Sequence, residues 1–330
     1  LIAAFPTRER EASRLLVVRR DTGELVHTLF CQLGEFLTPG DLLVVNDTKV
    51  FPARLWGRKE SGGRVEVLML EPFPENRQCW IAMADASPPL GTWIRFGKNL
   101  TAKVVGNLGQ GRFGLEFQAS GNLANQLDSL GEPPVPPYVS RLRGSDPLDW
   151  DRYQTVYATH SGAVAAPTAG FHFTPELFAR LQKKGIEKAT LTLHVGPGTF
   201  QPVRQSEIRC HHMEGERYVL SAAAARAVCS TKQKRRRVVA VGTTSTRTLE
   251  WVALQKGKIQ ADTGIARLYI CPGDSFRVID ALITNFHLPG STPLILVAAF
   301  AGLELVKYAY AEAIRLQYRF YSYGDAMLIL

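Results

Sequence analysis

Apolar and polar residues follow strand and helix patterns in turn through most of the chain. The segments 13–19, 25–30 and 41–48 have short apolar runs, which predict strands and a short helix. A helix is predicted over 175–184, because Thr174 can cap its first turn and Pro175 suits its first position. Alternating strands and helices are typical of an α/β domain. Later segments continue this alternation, with helices predicted over 221–235, 245–256 and 292–317 and strands over 189–196, 237–241, 265–271 and 277–283.

The middle of the chain has a different pattern. Between about residues 64 and 120, short alternating segments are separated by Gly, Pro and Asn turns and have no helical period. This pattern predicts a small β-barrel. Residues 122–131 predict a short helix, and the proline-rich segment GEPPVPPYV that follows predicts an extended connection. We therefore expect a large mixed α/β domain, discontinuous in sequence over 1–57 and 153–330, with an inserted small all-β barrel domain over 58–152.

Long windows without any Asp, Glu, Lys or Arg stand out in the α/β part. They cover residues 153–175, 189–203 and 281–303, and each contains a histidine in a segment rich in Gly, Pro and Thr. At 21% charged residues overall, a window of 23 residues should hold about five charges. One interpretation is a buried core in which the histidines are hydrogen-bonded to neighbouring protein groups. The alternative, an active site with His172, His194 and His287, is equally well supported by the glycines and prolines, which shape a backbone for close approach.

Composition limits the function classes. The five cysteines among 330 residues are scattered without CxxC spacing, so neither a disulfide framework nor a zinc site is indicated, and a reducing cytoplasm fits best. No apolar run is long enough for a membrane span. A net charge of +9 favours a polyanionic partner such as nucleic acid. The basic residues cluster at Arg8, Arg10, Arg14, Arg19 and Arg20, at Arg54, Arg58, Lys59 and Arg64, at Arg141 and Arg143, and in the run KQKRRR at 232–237.

Turns after predicted strands offer further candidate binding groups. The segment VVAVGTTSTR places Thr243, Thr244, Ser245 and Arg247 where an anion or a ribose could bind, although helix capping explains the same residues. A second turn provides donors for a sugar, phosphate or carboxylate, although an Asn-Asp turn needs no ligand. Its residues are Asn46, Asp47, Thr48, Lys49 and Arg54. P-loop, dinucleotide-binding, nucleophile-elbow and HExxH patterns are missing from the sequence.

Taken together, these blocks closely resemble one family, the S-adenosylmethionine:tRNA ribosyltransferase-isomerases of queuosine biosynthesis. The resemblance covers nearly the whole chain. It departs from the family pattern at Glu11, at HHMEGE (211–216) and in the segment 262–270. The blocks that carry it are SRLLVV, PGDLLVVNDTKVFPARLWGRK, RYQTVYA, GAVAAPTAGFHFTPEL, LTLHVGPGTFQPV, VVAVGTTSTRTLEW, DALITNFHLPGST, LVAAFAG and YRFYSYGDAMLIL.

The resemblance implies an enzyme that transfers the ribosyl part of S-adenosylmethionine onto 7-aminomethyl-7-deazaguanine at the tRNA wobble position. The product would be epoxyqueuosine, with adenine and methionine released. S-adenosylmethionine would be consumed as a substrate, without a metal or a bound cofactor. We expect a cytoplasmic monomer with no membrane contact. A structured-RNA-binding protein without catalysis, or another nucleoside glycosyl transferase, would also fit the charge and the turns.

Imidazoles suit the proton transfers of this reaction, because their pKa lies near neutral pH. We therefore expect His172, His194 and His287 to be catalytic, in no assigned order, with Asp325 or Asp47 as an orienting or proton-accepting carboxylate. The expected substrate-binding residues are Asn46, Lys49, Arg54, Thr168, Thr243, Thr244, Ser245, Arg247, Asn285 and Tyr323. Among them, Thr243 to Ser245 with Arg247 are expected to bind the ribose hydroxyls or the methionine carboxylate, for which Arg247 offers a bidentate clamp. Arg54, Arg58, Arg141, Arg143 and Lys234 to Arg237 are expected to contact tRNA phosphates.

Overall fold

The structure is a computed structural model that describes residues 1–84, 86–144, 146–200, 203–205 and 207–330. The side chains of Arg141, Arg143, Thr199 and Phe200 lie outside this description, so the predicted phosphate contacts of Arg141 and Arg143 fall outside it too.

The strands of the α/β part and of the barrel follow each other along the chain. They are β1 (Arg14–Val18), β2 (Leu25–Leu29), β3 (Leu42–Asn46), β4 (Thr48–Val50), β5 (Arg54–Lys59), β6 (Arg64–Pro72), β7 (Cys79–Met83), β8 (Trp93–Phe96), β9 (Leu100–Gly109), β10 (Arg112–Ala119), β11 (His160–Ala163), β12 (Glu187–Leu193), β13 (Glu216–Leu220), β14 (Val238–Val241), β15 (Asp262–Ala266), β16 (Ala281–Asn285) and β17 (Ala326–Ile329).

The α-helices begin beyond the barrel strands. They are α1 (Leu123–Leu130), α2 (Pro137–Arg143), α3 (Asp149–Arg152), α4 (Pro175–Lys183), α5 (Ala222–Gln233), α6 (Gly242–Lys256), α7 (Thr292–Ala301) and α8 (Leu303–Arg315), with short 3-10 turns at Arg10–Ala12, Phe30–Glu35, Thr168–His172, Pro197–Phe200 and Ile208–Cys210.

The described residues form one nine-stranded sheet with the order β15-β13-β12-β3-β14-β16-β17-β1-β2. Its centre is parallel, because β12, β3, β14 and β16 run side by side in the same direction. Apolar side chains of these strands are fully buried on both faces, as expected for a parallel sheet covered by helices. The carboxyl ends of these four central strands therefore meet at one edge.

The second part of the fold is the β-barrel. Within the described part of the chain, β10-β7-β6-β5-β8-β9 close into a six-stranded barrel around its own apolar core. The architecture is the predicted one: a mixed α/β domain, discontinuous in sequence, with an inserted small barrel. The first barrel strand begins at Arg54, so it crosses the expected division between residues 57 and 58, and that division stays a prediction.

Several local predictions were wrong at element ends. Helix α2 begins at Pro137 inside the segment expected to be extended, because proline suits the first helical position. Helix α6 begins at Gly242 rather than at Ser245, and Gly242 takes a φ of +87°, which glycine adopts without a steric penalty. The long helix expected over 292–317 is broken at Gly302, where α7 and α8 meet at 115°.

No single helix among the described residues is long and apolar enough to cross a membrane. Taken together, the bent pair of α7 and α8 has the length and composition of a membrane span, but on these two criteria only.

Candidate functional site

The carboxyl edge of the parallel strands gathers most of the predicted site segments. Asp47 follows β3, His194 follows β12, Gly242 begins α6 after β14, and His287 lies two residues beyond β16. Ligands of open α/β sheets bind outside this edge, where loops and helix starts surround a crevice. The uncharged windows thus converge at one place in the fold.

A cleft opens at this edge and encloses about 600 Å³ of space, including its mouth. Its walls carry few charges and many small polar groups. The lining residues are Ala166, Pro167, Thr168, Ala169, Val195, Gly242, Thr243, Thr244, Thr284, Asn285, His287, Ser291, Pro293, Tyr321 and Ser322.

The first turn of α6 forms one wall of the cleft. Thr243 and Thr244 lie in this turn, where backbone N–H groups have no partner within the helix. The Thr244 hydroxyl is buried and has no hydrogen-bond partner among the described residues. Ser245 differs, because its hydroxyl donates to the Val241 carbonyl at 2.9 Å and the residue is fully buried. Thr243 and Thr244 therefore remain available to a ligand, and Ser245 stabilises the helix start.

His287 is the predicted catalytic histidine that lines the cleft. Its Nε2 lies 2.8 Å from the Thr284 hydroxyl, and its backbone N–H donates to the Tyr310 hydroxyl at 2.9 Å. The other ring nitrogen, Nδ1, has no hydrogen-bond partner among the described residues. Burial lowers the pKa of His287 to about 3, so the ring is neutral at physiological pH. A fixed neutral imidazole with one available nitrogen can exchange a proton with a ligand.

His172 lies behind the cleft wall and is engaged on both sides. Its Nδ1 lies 2.7 Å from the Ser13 hydroxyl, and its Nε2 lies 3.2 Å from Nδ2 of Asn285. The Asn285 amide is itself oriented, since Nδ2 also donates to the Tyr321 carbonyl and Oδ1 accepts from Thr168. Nε2 of His172 must then accept, which places the proton on Nδ1. Burial lowers the pKa of His172 to about 3, so this histidine is neutral and positions Asn285.

Another polar group lies at the same edge, around the end of β3. The Thr192 hydroxyl donates to Oδ1 of Asp47 at 2.6 Å, and Nδ1 of His160 lies 3.2 Å from the same oxygen. Beside it, Nδ1 of His194 lies 2.8 Å from the Thr48 hydroxyl. Burial lowers the pKa of His194, and the Arg217 charge adds to this effect. The structure thus brings Asp47 and His194 together, but with His160 rather than with His287.

Arg247 binds groups of the protein itself, in contrast to the predicted clamp on a substrate carboxylate. Its guanidinium forms an ion pair with Glu216 through Nη1, and its Nε donates to the Leu268 carbonyl at 2.9 Å. Both charged side chains are only 4% exposed. Glu216 in turn accepts from the Gly196 N–H at 2.9 Å, so the pair joins α6 to the loop after β12. A guanidinium committed in this way has little capacity left for a substrate carboxylate.

The predicted C-terminal residues Asp325 and Tyr323 also have structural partners. Asp325 is 1% exposed and accepts from the backbone N–H groups of Arg14 and Arg319, besides its ion pair with Arg14 Nε at 3.1 Å. The Tyr323 hydroxyl donates to Asp149 at 2.8 Å, and its ring stacks on Phe171. Neither residue lines the cleft, so their positions do not favour the expected contacts with the reactants, which stay a prediction.

Asn46 and Arg54 likewise hold the fold together. The Asn46 amide accepts from the Leu193 N–H and donates to the Leu193 carbonyl, both at 2.9 Å, which joins the ends of β3 and β12. Arg54 is 7% exposed, pairs with Glu66 at 2.8 Å and donates to the Val135 carbonyl at 2.6 Å. Lys49 is exposed at the carboxyl edge and remains available to an external partner.

The basic run at 232–237 lies at the opposite edge of the sheet. Arg237 precedes β14 and forms an ion pair with Asp41, which precedes β3. Burial would raise the pKa of Asp41, but the Arg237 guanidinium and hydrogen bonds from Thr38 hold this pKa below its usual range. Lys234, Arg235 and Arg236 are exposed there, a full strand length from the cleft. The expectation that this run contacts tRNA phosphates stays a prediction, and the distance of the run from the cleft argues against it.

Sequence reasoning missed several lining residues. Tyr321 lines the cleft with a φ of +76°, a backbone conformation that an aromatic residue rarely adopts, and its ring packs edge-on against Tyr138 at 4.0 Å. Ser322 and Ser291 line it as well. His160 could have been found, because it lies in the same uncharged window as His172. The position of Tyr321 depends on a tertiary contact that no local pattern reveals.

The polar side chains that line the cleft carry hydroxyl, amide and imidazole groups. Among the described residues, no group of three or more His, Cys, Asp or Glu side chains is arranged to hold a metal ion.

Comparisons with known proteins agree over the full length. A family model described as queuosine biosynthesis protein matches residues 1–329. The S-adenosylmethionine:tRNA ribosyltransferase-isomerase of Pelobacter propionicus is 50% identical over 331 residues, which cover 100% of this chain and 96% of the relative. The enzyme of the same name from Trichlorobacter lovleyi is 50% identical over 332 residues, with the same coverage.

A solved structure has the same architecture. The crystal structure of an S-adenosylmethionine tRNA ribosyltransferase from Thermotoga maritima is 35% identical to this chain, with a TM-score of 0.56, and the match covers 100% of this chain and 96% of that one. The chain therefore belongs to the queuosine biosynthesis protein family, in which its relatives are S-adenosylmethionine:tRNA ribosyltransferase-isomerases.

Proposed function

We propose that this chain transfers the ribosyl part of S-adenosylmethionine onto 7-aminomethyl-7-deazaguanine at the wobble position of tRNA and isomerises it. The product is epoxyqueuosine, and adenine and methionine leave. Family membership over residues 1–329 supports the reaction class. We place the reaction in the weakly charged cleft, because the Thr244 hydroxyl, which has no partner among the described residues, lies on one side of it and His287 lies on the other.

S-adenosylmethionine binds in this cleft as a consumed substrate, without a metal. The first turn of α6 offers backbone N–H groups and the positive end of the helix dipole, which suit the methionine carboxylate or the ribose hydroxyls. The Thr243 and Thr244 hydroxyls add donors and acceptors at the same point. These groups replace the Arg247 clamp, because that guanidinium is paired with Glu216.

His287 moves the first proton. The reaction must remove a proton from the ribose carbon bonded to the sulfonium, and adenine needs a proton as it leaves. A neutral imidazole with an available Nδ1 can accept the former, and its Nε2 contact with Thr284 holds the ring in place. The apolar residues of the cleft wall, Ala166, Ala169 and Val195, help to exclude water and so protect the carbanion that the neighbouring sulfonium stabilises.

The tRNA approaches from the carboxyl edge, where Lys49 is exposed. We also propose that the enzyme is cytoplasmic and monomeric. His172 lies behind the cleft wall and positions Asn285, which lines the cleft.

The direct test incubates the protein with S-adenosylmethionine and tRNA bearing the deazaguanine precursor. We expect adenine and methionine in equal amounts, with a ribosyl unit gained by the tRNA, and no release when either substrate is omitted. Binding of tRNA without adenine release would instead support the non-catalytic RNA-binding alternative. Transfer to an acceptor other than the precursor would support a different glycosyl transferase.

A pair of matched variants tests the place of binding. Thr244→Val removes a hydroxyl that has no protein partner, whereas Thr246→Val removes one that donates to the Gly242 carbonyl at 3.2 Å within α6. The loss of one ligand hydrogen bond, about 1.4 kcal/mol, raises the KM for S-adenosylmethionine about tenfold in Thr244→Val. Thr246→Val should keep the wild-type KM. Equal KM values for both variants would place the substrate elsewhere.

A further inference from the structure

A histidine and an aspartate form a second candidate proton-transfer site outside the cleft, at the carboxyl edge of the sheet. Nδ1 of His160 lies 3.2 Å from Oδ1 of Asp47, and the Thr159 hydroxyl lies 3.0 Å from the same ring nitrogen. The contact with a carboxylate favours the tautomer with the proton on Nδ1. Nε2 of His160 then carries the free lone pair.

The backbone fixes this pair in position. The Asp47 carbonyl accepts from the N–H groups of Thr159 at 2.8 Å and His160 at 3.2 Å, and the Asp47 N–H donates to Leu191 at 2.9 Å. The Thr192 hydroxyl holds the carboxylate itself at 2.6 Å. Both partners are therefore oriented before any substrate arrives, which is what proton transfer requires.

The burial of the two side chains is unequal. The Asp47 side chain is 8% exposed and the His160 side chain is 64% exposed. An ordinary surface ion pair exposes both groups and contributes little stability. A buried carboxylate that orients an imidazole open to solvent is instead the arrangement by which a carboxylate supports a histidine base.

The pair is connected to the cleft by the chain that follows it. Gly162 packs against the His194 ring, and a Cβ at this glycine would lie 2.8 Å from Cε1 of that ring. The Val164 N–H donates to the Val195 carbonyl at 3.1 Å, and Val195 lines the cleft. The segment from 160 to 169 thus runs from the exposed imidazole into the cleft wall.

We propose that His160, oriented by Asp47, accepts the proton from the aminomethyl group of the tRNA base before that amine attacks. This inference rests on the function proposed above. An alkylammonium has no lone pair at neutral pH, so it cannot act as a nucleophile until it loses a proton. One N–H bond of the ammonium breaks, its electron pair stays on the amine, and a new N–H bond forms at His160 Nε2. Asp47 stabilises the imidazolium, which then releases the proton to solvent.

The test compares His160→Ala with His27→Ala in the full chain. His27 is the matched control, because its Nε2 also lies near a carboxylate, 3.6 Å from Glu312, but on the edge strand β2. We expect His160→Ala to lower kcat about 10²-fold to 10³-fold, a usual effect of losing a general base. The KM for S-adenosylmethionine and the Kd for tRNA should stay within about twofold of the wild type. His27→Ala should keep the wild-type kcat.

Two readouts separate a proton acceptor from a structural residue. Added imidazole should restore part of the activity of His160→Ala, because it fills the vacated position and accepts the proton. The activity of the variant should also keep rising at high pH, where more amine is unprotonated, while the wild type levels off. The charged and titratable groups that face His160, directly or through its partner, are Asp47, His194 and Tyr157, with Arg217 beside His194. These groups remain in the variant.

Three outcomes would decide the question. Wild-type kcat in His160→Ala, or a loss that imidazole and high pH do not relieve, overturns the role of His160. If His160→Ala is poorly folded, His160→Gln keeps a polar side chain there and must show the same loss of kcat. A wild-type protein that releases no adenine from S-adenosylmethionine with precursor tRNA contradicts the proposed function itself, independently of His160.

Discussion

Replacing Arg247 by methionine separates a structural role from a substrate-binding role. The guanidinium and the Glu216 carboxylate are each 4% exposed, so Arg247→Met leaves a buried carboxylate without its cationic partner. Breaking a buried ion pair in this way costs about 3 to 5 kcal/mol. With an unfolding entropy of roughly 2.1 cal/mol/K per residue over 330 residues, this corresponds to a Tm lower by about 4 to 7 °C.

The assay is denaturant and thermal unfolding of the wild type, Arg247→Met and the double variant Arg247→Met with Glu216→Gln. Removing both charges should recover part of the lost stability, because no isolated buried charge remains. Steady-state kinetics on the same proteins supply the KM for S-adenosylmethionine. Unchanged stability together with a KM about 100-fold higher would refute this reasoning and restore the predicted carboxylate clamp.

Other predictions follow from burial, backbone geometry and charge. The pKa of His172 is about 3 in the folded protein and about 6.5 in the unfolded one, so the unfolded state gains a proton first as the pH falls. This should lower the free energy of unfolding by about 2 kcal/mol between pH 7.5 and pH 5. The free energy of unfolding of His172→Asn should depend less on pH. Gly162→Ala should displace the His194 ring and lower kcat more than Gly121→Ala does. Gly121 is the control, because it also has a positive φ but no atom would lie within 4 Å of a Cβ added there. Similar kcat values for the two variants would contradict the packing argument. Neutralising residues 234–236 to glutamine should leave the salt dependence of tRNA binding unchanged, whereas a slope of log K against log salt smaller by about 2 would show that the run contacts phosphates.

Much of the fold was predictable because its signals are local. Thr174 caps α4 by accepting from the Leu177 N–H at 3.0 Å, as its sequence position predicts. The barrel was predictable from alternation between turns. The break of the last long helix was not, because Gly302 inside an apolar run is compatible with either a straight helix or a bend.

The site was only partly predictable, for a physical reason. Uncharged windows identify the segments that meet at the carboxyl edge, and His287, Thr168, Thr243, Thr244 and Asn285 do line the cleft. The sequence cannot reveal which polar side chains are already hydrogen-bonded or ion-paired within the protein. Arg247 and Asp325 have suitable chemistry, but they are committed to partners far away in the sequence.

The most direct measurement follows deuterium on the ribose carbon bonded to sulfur in S-adenosylmethionine, with precursor tRNA present. The wild type should lose deuterium from this carbon and release adenine. His287→Gln should bind both substrates but do neither, because the cleft then lacks the nitrogen that accepts the proton. Loss of deuterium at the wild-type rate in His287→Gln would contradict the assignment of the chemistry to this cleft and this histidine.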